Sequence, residues 1–344
     1  MNATQPPTRA RIVVIGAGIA GSTCAHVLQA AGHSVHVIDK SRGAGGRMAT
    51  KRLQWTDAQG ATRQARMDHG APGFAAEDPV FRDFVRAALG PAGLSAWTPT
   101  LKPGSCPLPD AGPLHLPQPD MPALCRALLQ GMDVTWSFQV DRLLHDANGW
   151  QLEAAGTLLP GHYDRLVLAL PPAQAAPLLA PHAPGWAAQA AQAVMEPCWT
   201  LMGVARRPAK DGAWDLVQPD QGPLAWAMRA DARPGRAAPA DEAHWVAHAN
   251  PAWSRAHLEQ PADWVQAQLA AALEACVGEP IAWKHATVHR WRYARPGAPR
   301  AAGDTPWWWD PALGLGVCGD FLGGAGVEDA WRSGWGLATA VQGR

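Results

Sequence analysis

The sequence predicts an α/β fold, with a parallel sheet laid down by its first forty residues and a second, mixed α+β region threaded through it. Three observations carry this. An apolar, β-branched run at Arg11–Ile15, a helical stretch at Ile19–Ala31 and a second short run at Ser34–Ile38 follow one another. A strand, a helix and a strand in that order begin a parallel sheet. Glycines fill the turn between the first strand and the helix. At the far end, Leu313–Cys318 reads as another buried strand and Val327–Val341 as a helix. The 344 residues allow about two domains at roughly 150 residues each.

Taken in order, residues 1–10 are polar and proline-containing, a frayed end. Gly32 stops the first helix. Leu53–Trp55 and Arg63–Met67 are expected to pair as a hairpin around Gly60. Residues 79–89 read as a short helix, and 91–120, rich in Pro and Gly, as ordered loop. Met121–Gln130 reads as a helix and Val134–Phe138 as a strand, with weak alternation at Gln151–Ala154. Leu166–Leu170 is a strand closed by Pro171 and Pro172. Strand candidates at 199–206, 214–217, 224–229 and 244–249 form the second region, followed by a helix at Ala262–Val277 and a strand at Ile281–Arg290. Residues 295–311, with Trp307, Trp308 and Trp309, read as a Pro/Gly loop. In the last helix Val327, Ala330, Trp331, Gly334, Leu337, Ala338 and Val341 share one face.

Composition removes several function classes. Lys plus Arg equals Asp plus Glu, at 29 each, so no charge footprint marks nucleic acid or an anionic membrane as partner. Six cysteines without a C-x-x-C pair argue against a zinc ribbon or a disulfide framework and fit a reducing, cytoplasmic setting. Residues 12–31 carry no Asp, Glu, Lys or Arg, a length that can span a bilayer. Three glycines, together with Ser22, Thr23, His26 and Gln29, argue instead for a buried strand and helix, and the flanks do not read as a signal peptide. Core packing accounts for most of the eighteen tryptophans.

Gly16-Ala17-Gly18-Ile19-Ala20-Gly21 is a G-x-G-x-x-G between strand and helix, the context a dinucleotide site needs. Gly16 allows the turn, Gly18 lets a pyrophosphate approach, and Gly21 lets the helix pack on the strand. The helix N-terminus adds N–H donors and partial positive charge. Asp39 ends the second strand, where a carboxylate takes ribose hydroxyls. These features specify a Rossmann-type dinucleotide site without separating FAD from NAD.

A second loop, Lys40-Ser41-Arg42-Gly43-Ala44-Gly45-Gly46-Arg47-Met48-Ala49-Thr50, follows at once. Its R-x-x-G-G-R-x-x-[ST] pattern resembles the second fingerprint of the glutathione-reductase-like flavoproteins that include the amine oxidases. Arg47 is a planar donor suited to phosphate oxygens. Near the C-terminus, Gly319-Asp320-Phe321 precedes Gly323-Gly324-Ala325-Gly326-Val327-Glu328. This resembles the G-D motif of the same flavoproteins, where the Asp holds the ribityl chain and the next helix faces the flavin pyrimidine ring. A helix N-terminus there favours the negative charge of a reduced flavin.

Across nearly its whole length the sequence resembles the bacterial renalase-type flavoproteins. The resemblance rests on residues 39–52 (DKSRGAGGRMATKR), 96–101 (AWTPTL), 245–255 (WVAHANPAWSR), 289–296 (HRWRYARP) and 317–334 (VCGDFLGGAGVEDAWRSG). It implies non-covalent FAD and oxidation of 1,2- and 1,6-dihydro forms of NAD(P) to NAD(P)+, with O2 reduced to H2O2. It implies cofactor contacts from Gly16, Gly18, Ile19, Ala20, Gly21, Asp39, Lys40, Arg42, Gly46, Arg47, Met48, Gly70, Ala71, Val140, Gly319, Asp320, Val327 and Glu328. It also implies a glutathione-reductase-like FAD domain in three pieces, 9–72, 120–183 and 312–343, interleaved with a substrate domain at 73–119 and 184–311. The sequence departs from the family at Pro72-Gly73, where a Gln-Tyr pair is usual, and at Phe321 and Ala325-Gly326. The departures bear on substrate choice, not on FAD.

Hydride transfer to flavin N5 needs positioning and an apolar wall more than an acid or base. Trp291, His248 and His289, with Tyr293 nearby, are the candidates for substrate contact, and core packing accounts equally well for each. Arg290, Arg292 and Arg295 read as a solvated strand edge. His285 and His289 lack the partners a metal site needs, so no metal is expected. The rivals are a flavin amine oxidase, weakened because Lys102 and Lys284 are the only central lysines outside the cofactor loop and the 206–210 stretch, and a non-catalytic FAD-binding protein.

Overall fold

The computed structural model describes residues 9–107, 112–207, 214–297 and 303–343. The start of the expected frayed end (1–8), residues 108–111 and 298–302 of the two expected loops, and most of the 206–210 stretch lie outside the described residues. In chain order the elements begin β1 (Arg11–Ile15), α1 (Ile19–Ala30) and β2 (Ser34–Ile38). A hairpin follows, β3 (Thr50–Thr56) and β4 (Thr62–Asp68), then α2 (Pro79–Leu89) and a second hairpin, β5 (Leu94–Trp97) and β6 (Leu114–Pro117). Next come α3 (Ala123–Leu128) and β7 (Asp133–Thr135), a three-stranded meander β8 (Arg142–Asp146), β9 (Gly149–Ala154) and β10 (Thr157–Leu158), and β11 (Arg165–Leu168). Two helices, α4 (Pro172–Leu179) and α5 (Pro184–Gln192), precede β12 (Met195–Arg206), β13 (Leu216–Val217), β14 (Leu224–Arg229) and β15 (Glu242–Ala249). The chain then forms α6 (Pro251–Ala256), α7 (Ala262–Val277), β16 (Trp283–Pro296), β17 (Trp307–Asp310), β18 (Leu315–Cys318) and α8 (Val327–Val341).

Two sheets organise these elements. A six-stranded sheet runs β17-β18-β11-β1-β2-β7, parallel throughout except for β17. Its central strand β1 is β-branched and buried on both faces, as parallel sheets require. A five-stranded antiparallel sheet runs β13-β14-β15-β12-β16. Its buried face packs Leu201, Trp245 and Ala247 against Val265, Leu269 and Leu273 of α7.

The expected strand–helix–strand start, first hairpin, α2, α7 and α8 stand where the sequence placed them. Four expectations need correction. The 91–120 loop holds a hairpin, in register Leu94↔Pro117 to Trp97↔Leu114, hidden by its Pro/Gly-rich surroundings. The 295–311 loop ends in a strand, because Trp307–Asp310 completes the sheet edge beside β18 and puts Trp308 into the core. Strand β16 runs on to Pro296, guided by its pairing with β12. The helix expected at Met121–Gln130 is shorter at both ends. Helices α4 and α5 escaped the sequence reading. Their Ala/Pro composition looks loop-like, yet each opens with proline in its first turn, where a missing N–H costs nothing.

Helices α1 and α8 bring the two ends of the chain together. An ideal Cβ on Gly334 of α8 would lie 2.1 Å from the carbonyl oxygen of Ala20 in α1, so the helices touch backbone to backbone. Overpacking of this kind costs about 1–3 kcal/mol. Gly334→Ala should lower unfolding stability by that amount in urea melts. Gly32→Ala, whose Cβ meets nothing within 4 Å, should cost less, through backbone strain alone. Equal losses would show that the contact is looser than described.

Candidate cofactor cleft and histidine cluster

The candidate cofactor site begins at the β1–α1 turn. Gly16 adopts φ +113, and a Cβ there would lie 2.3 Å from the Ala169 carbonyl oxygen. A Cβ on Gly21 would lie 1.9 Å from the oxygen of Gly16. The protein's own backbone therefore demands these two glycines. Gly18 is different. Its backbone is extended (φ −76, ψ −178), and the nearest described atom to an ideal Cβ is the Gly46 Cα at 4.0 Å. Ile19 and Ala20, both buried, open helix α1 beside it.

Asp39 locks this turn to the next loop. Its carboxylate accepts from the backbone N–H of Ala17 and of Ser41, at 2.7 Å each. The Gly45 N–H donates to the Ala17 carbonyl at 2.9 Å, which seats the second glycine loop on the first turn. Met48 is buried, Gly46 stands beside Gly18, and Lys40 and Arg42 are exposed. Val140 packs against the apolar cluster under the sheet.

Arg47 and Asp320, which the resemblance assigns to the cofactor, also meet each other. The guanidinium donates two parallel hydrogen bonds to the carboxylate, at 2.5 and 2.6 Å, and a third to the Ala294 carbonyl at 3.2 Å. Asp320 is held at the exit of β18. There the Gly319 N–H donates to the Ser333 hydroxyl, which donates to the Pro306 carbonyl. The backbone carbonyl of Arg47 accepts from the Ala71 N–H at 2.9 Å, and a Cβ on Gly70 would lie 1.8 Å from that oxygen. Gly70 and Ala71 thus sit against the Arg47 loop. Val327 opens α8. Glu328 faces elsewhere: its carboxylate accepts from the N–H groups of Glu77 and Asp78 and pairs with Arg332.

His248, His289 and Trp291 come together, and the residue that gathers them is one the sequence reading passed over, His69. Its carbonyl accepts from His248 Nε2 at 3.0 Å, Trp291 Nε1 at 3.2 Å and the Thr200 hydroxyl at 3.3 Å. Its ring stacks on Trp291 (centroids 5.0 Å apart) and meets His289 edge to face (4.8 Å), while His289 and Trp291 touch at 4.4 Å. Trp226 lies over His248 at 4.1 Å. Only the neighbouring glycines pointed to this stretch; the His69 carbonyl carries no side-chain signature.

Burial decides the charge of this cluster. It lowers His69 to about 3, with help from His289 and Lys51. It lowers His248 to about 4, and His289 to about 4 with a contribution from Lys51. All three rings are neutral at pH 7. His285 is apart, stacked on Trp55 at 5.6 Å. Arg290 and Arg292 are ion-paired with Glu259 on the outside of the sheet. Among the described residues no group of three His, Cys, Asp or Glu side chains converges as a metal site, and no helix is long and apolar enough to cross a membrane.

Comparison with known proteins agrees with this architecture. Residues 14–88 match the family model of the NAD(P)-binding Rossmann-like domain. A protein assigned as a protoporphyrinogen oxidase from Exiguobacterium sp. 255-15 superposes with a TM-score of 0.73 at 12% identity, covering 97% of this chain and 98% of that one. Cyclohexylamine oxidase from Brevibacterium oxydans IH-35A gives 0.61 at 13% identity, covering 98% and 99%. Putrescine oxidase bound to putrescine gives 0.60 at 15%, again covering 98% and 99%. The chain is similar to these oxidases in fold over its whole length.

The neutral cluster predicts a pH dependence of stability. Between pH 6.5 and about 4 the unfolded chain binds protons that these folded histidines refuse, so stability falls as pH falls through that window. Melting temperatures between pH 7.5 and 4.5 should drop, and His69→Gln should flatten the drop. A variant profile as steep as the wild type would remove His69 from the account.

Proposed function

We propose that this chain is a renalase-like FAD-dependent oxidase that oxidises the 1,2- and 1,6-dihydro isomers of NAD(P) to NAD(P)+. FAD is held without a covalent bond along the line from the β1–α1 turn, past the Gly45–Met48 loop, to Asp320 and the start of α8. When bound, FAD supplies the hydride acceptor at N5 and hands the electrons to O2, giving H2O2. The domains are those expected from the sequence, 9–72, 120–183 and 312–343 for the cofactor and 73–119 and 184–311 for the substrate, with β17 lent by the second to the sheet of the first.

One observation carries the cofactor reading. Gly18 has an ordinary backbone, and a Cβ there would meet no described protein atom closer than 4.0 Å, so nothing within the protein excludes a Cβ at this position. A ligand lying against that backbone does. Asp39 is placed at the end of β2 to accept ribose hydroxyls with the lone pairs its two N–H partners leave free.

The substrate side follows from the neutral cluster. Trp291 offers an aromatic face, His289 stands edge-on to it at 70°, and His248 is oriented by the His69 carbonyl. These groups position a planar ring and exclude water; with pKa values lowered to about 3 to 4 the histidines are neutral and weak bases at pH 7. A dihydronicotinamide suits such a wall because it gives up a hydride and no proton. An amine would first have to shed the proton it carries in water. All six cysteines are free thiols, in keeping with a cytoplasmic protein.

Purified protein should be yellow, with flavin released by heat or acid. Anaerobic mixing with α-NAD(P)H preparations should bleach the flavin rapidly. Bleaching by a simple amine instead would make the protein an amine oxidase, and bleaching by neither a non-catalytic flavoprotein. Gly18→Ala should fold with nearly unchanged melting temperature and yet lose flavin affinity at least tenfold. A variant that stays yellow overturns the assigned path of the cofactor.

A further inference from the structure

Next to the histidine cluster lies a group of charges that does not balance. Asp68 ends β4 and immediately precedes His69; it is 2% exposed. One carboxylate oxygen accepts from Arg233 Nη1 at 2.8 Å and from Arg236 Nη2 at 2.6 Å. The other accepts from the Thr50 hydroxyl and the Met121 N–H. The carboxylate is fully used. The guanidinium groups are not. The Arg233 side chain is 3% exposed and the Arg236 side chain 14%, and among the described residues no second carboxylate pairs with either. The enclosed Nε of Arg233 has no hydrogen-bond partner.

A buried guanidinium, Arg233, and a partly buried one, Arg236, share one carboxylate and leave an excess positive charge. Burying an uncompensated charge is expensive, and packing does not offset it. Arg236 is also unnecessary for neutralising Asp68, because Arg233 does so alone. The loop carrying both is not loose: Gln118 Nε2 donates to the Pro234 carbonyl and fixes it against the end of β6. A second anion would balance the pair.

We propose that Arg233 and Arg236 form an oxyanion subsite of the substrate pocket, so that the molecule oxidised beside His69 carries a phosphate or a carboxylate. Arginine's planar fork is the side chain for such groups. Asp68 is bonded to His69, whose carbonyl holds Trp291 and His248, so the anion would anchor one end of the substrate while the aromatic wall takes the other. The same excess charge works against a cationic amine. This inference rests on the proposed reaction only for the identity of the oxidised end.

Calorimetric titration of the flavin-loaded protein with inorganic pyrophosphate, and separately with succinate, tests the subsite. At least one should bind the wild type, at least tenfold more weakly to Arg236→Gln, with Arg236→Lys in between because it keeps the charge and loses the fork. A difference confined to pyrophosphate assigns the phosphate source, and one confined to succinate the carboxylate. The melting temperature of Arg236→Gln should stay close to the wild type, because Asp68 keeps Arg233. In turnover, the KM for dihydronicotinamide mononucleotide should rise in Arg236→Gln, while that for the riboside, which lacks the phosphate, stays put and kcat changes little for both. Equal binding by wild type and both variants, or no binding by the wild type, overturns the proposal. So does loss of FAD from Arg236→Gln, which would make the second anion the cofactor's own. Should the Gln variant not fold, Arg236→Lys decides, and binding as tight as the wild type overturns the proposal. Anion binding needs no turnover, so a protein that oxidises no dihydronicotinamide would remove the proposed reaction and leave the subsite to be judged alone.

Discussion

Arg47 is the knot on which the site depends. Its guanidinium grips Asp320 with two parallel hydrogen bonds and reaches the Ala294 carbonyl, while its own carbonyl holds Ala71. One residue thereby joins the second glycine loop, the exit of the last strand, the edge of the five-stranded sheet and the turn carrying His69. A bidentate guanidinium–carboxylate pair fixes direction as well as distance. Cutting one side of such a partly buried pair strands the other, so the geometry is held by the penalty for breaking it more than by net attraction. Lysine in its place would keep the charge and lose the fork.

The same logic runs outward through the His69 carbonyl, which accepts from Thr200 on β12, His248 on β15 and Trp291 on β16. Three strands of one sheet are thus referenced to one oxygen on the turn that follows the β3–β4 hairpin. Hydrogen bonds that converge on one acceptor transmit position, because none of the donors can move without leaving a buried group unpaired. The cluster is therefore rigid and uncharged at once. Both qualities suit a wall against which a planar ring is held, and neither suits a proton relay.

Much of this was legible in the sequence, for local reasons. Gly16 and Gly21 are demanded by contacts within a few residues or with the adjacent strand, and the apolar run of β1 announces burial on both faces. The partners of a motif are less local. The sequence singled out Arg47 and Asp320 separately, as expected cofactor contacts, and could not show that they face each other across 273 positions. It identified His248, His289 and Trp291, but not the oxygen that gathers them, because a backbone carbonyl has no residue type. Likewise β17 and the β5–β6 hairpin are strands because of what lies beside them; their Pro/Gly-rich surroundings argued for loop, and tertiary pairing overrode composition.

Glycine and charge balance supply the last step, because each separates what the fold needs from what a ligand needs. Where a Cβ would strike the protein's own backbone, as at Gly21 and Gly334, glycine is explained by the fold and says nothing of function. Where the backbone is ordinary and a Cβ would meet nothing closer than 4.0 Å, as at Gly18, the fold itself does not account for the glycine. Asp68 with its two arginines has the same form. A balanced buried pair is a structural device, while an unbalanced one is a structure with a component absent. Gly18 leaves its backbone open to an approaching ligand, and Arg236 adds a positive charge that Asp68, already paired with Arg233, does not need. The ligand chemistry proposed at each place follows from that difference: an extended phosphate-bearing ligand over backbone amides, and an oxyanion beside a guanidinium that shares its carboxylate with another.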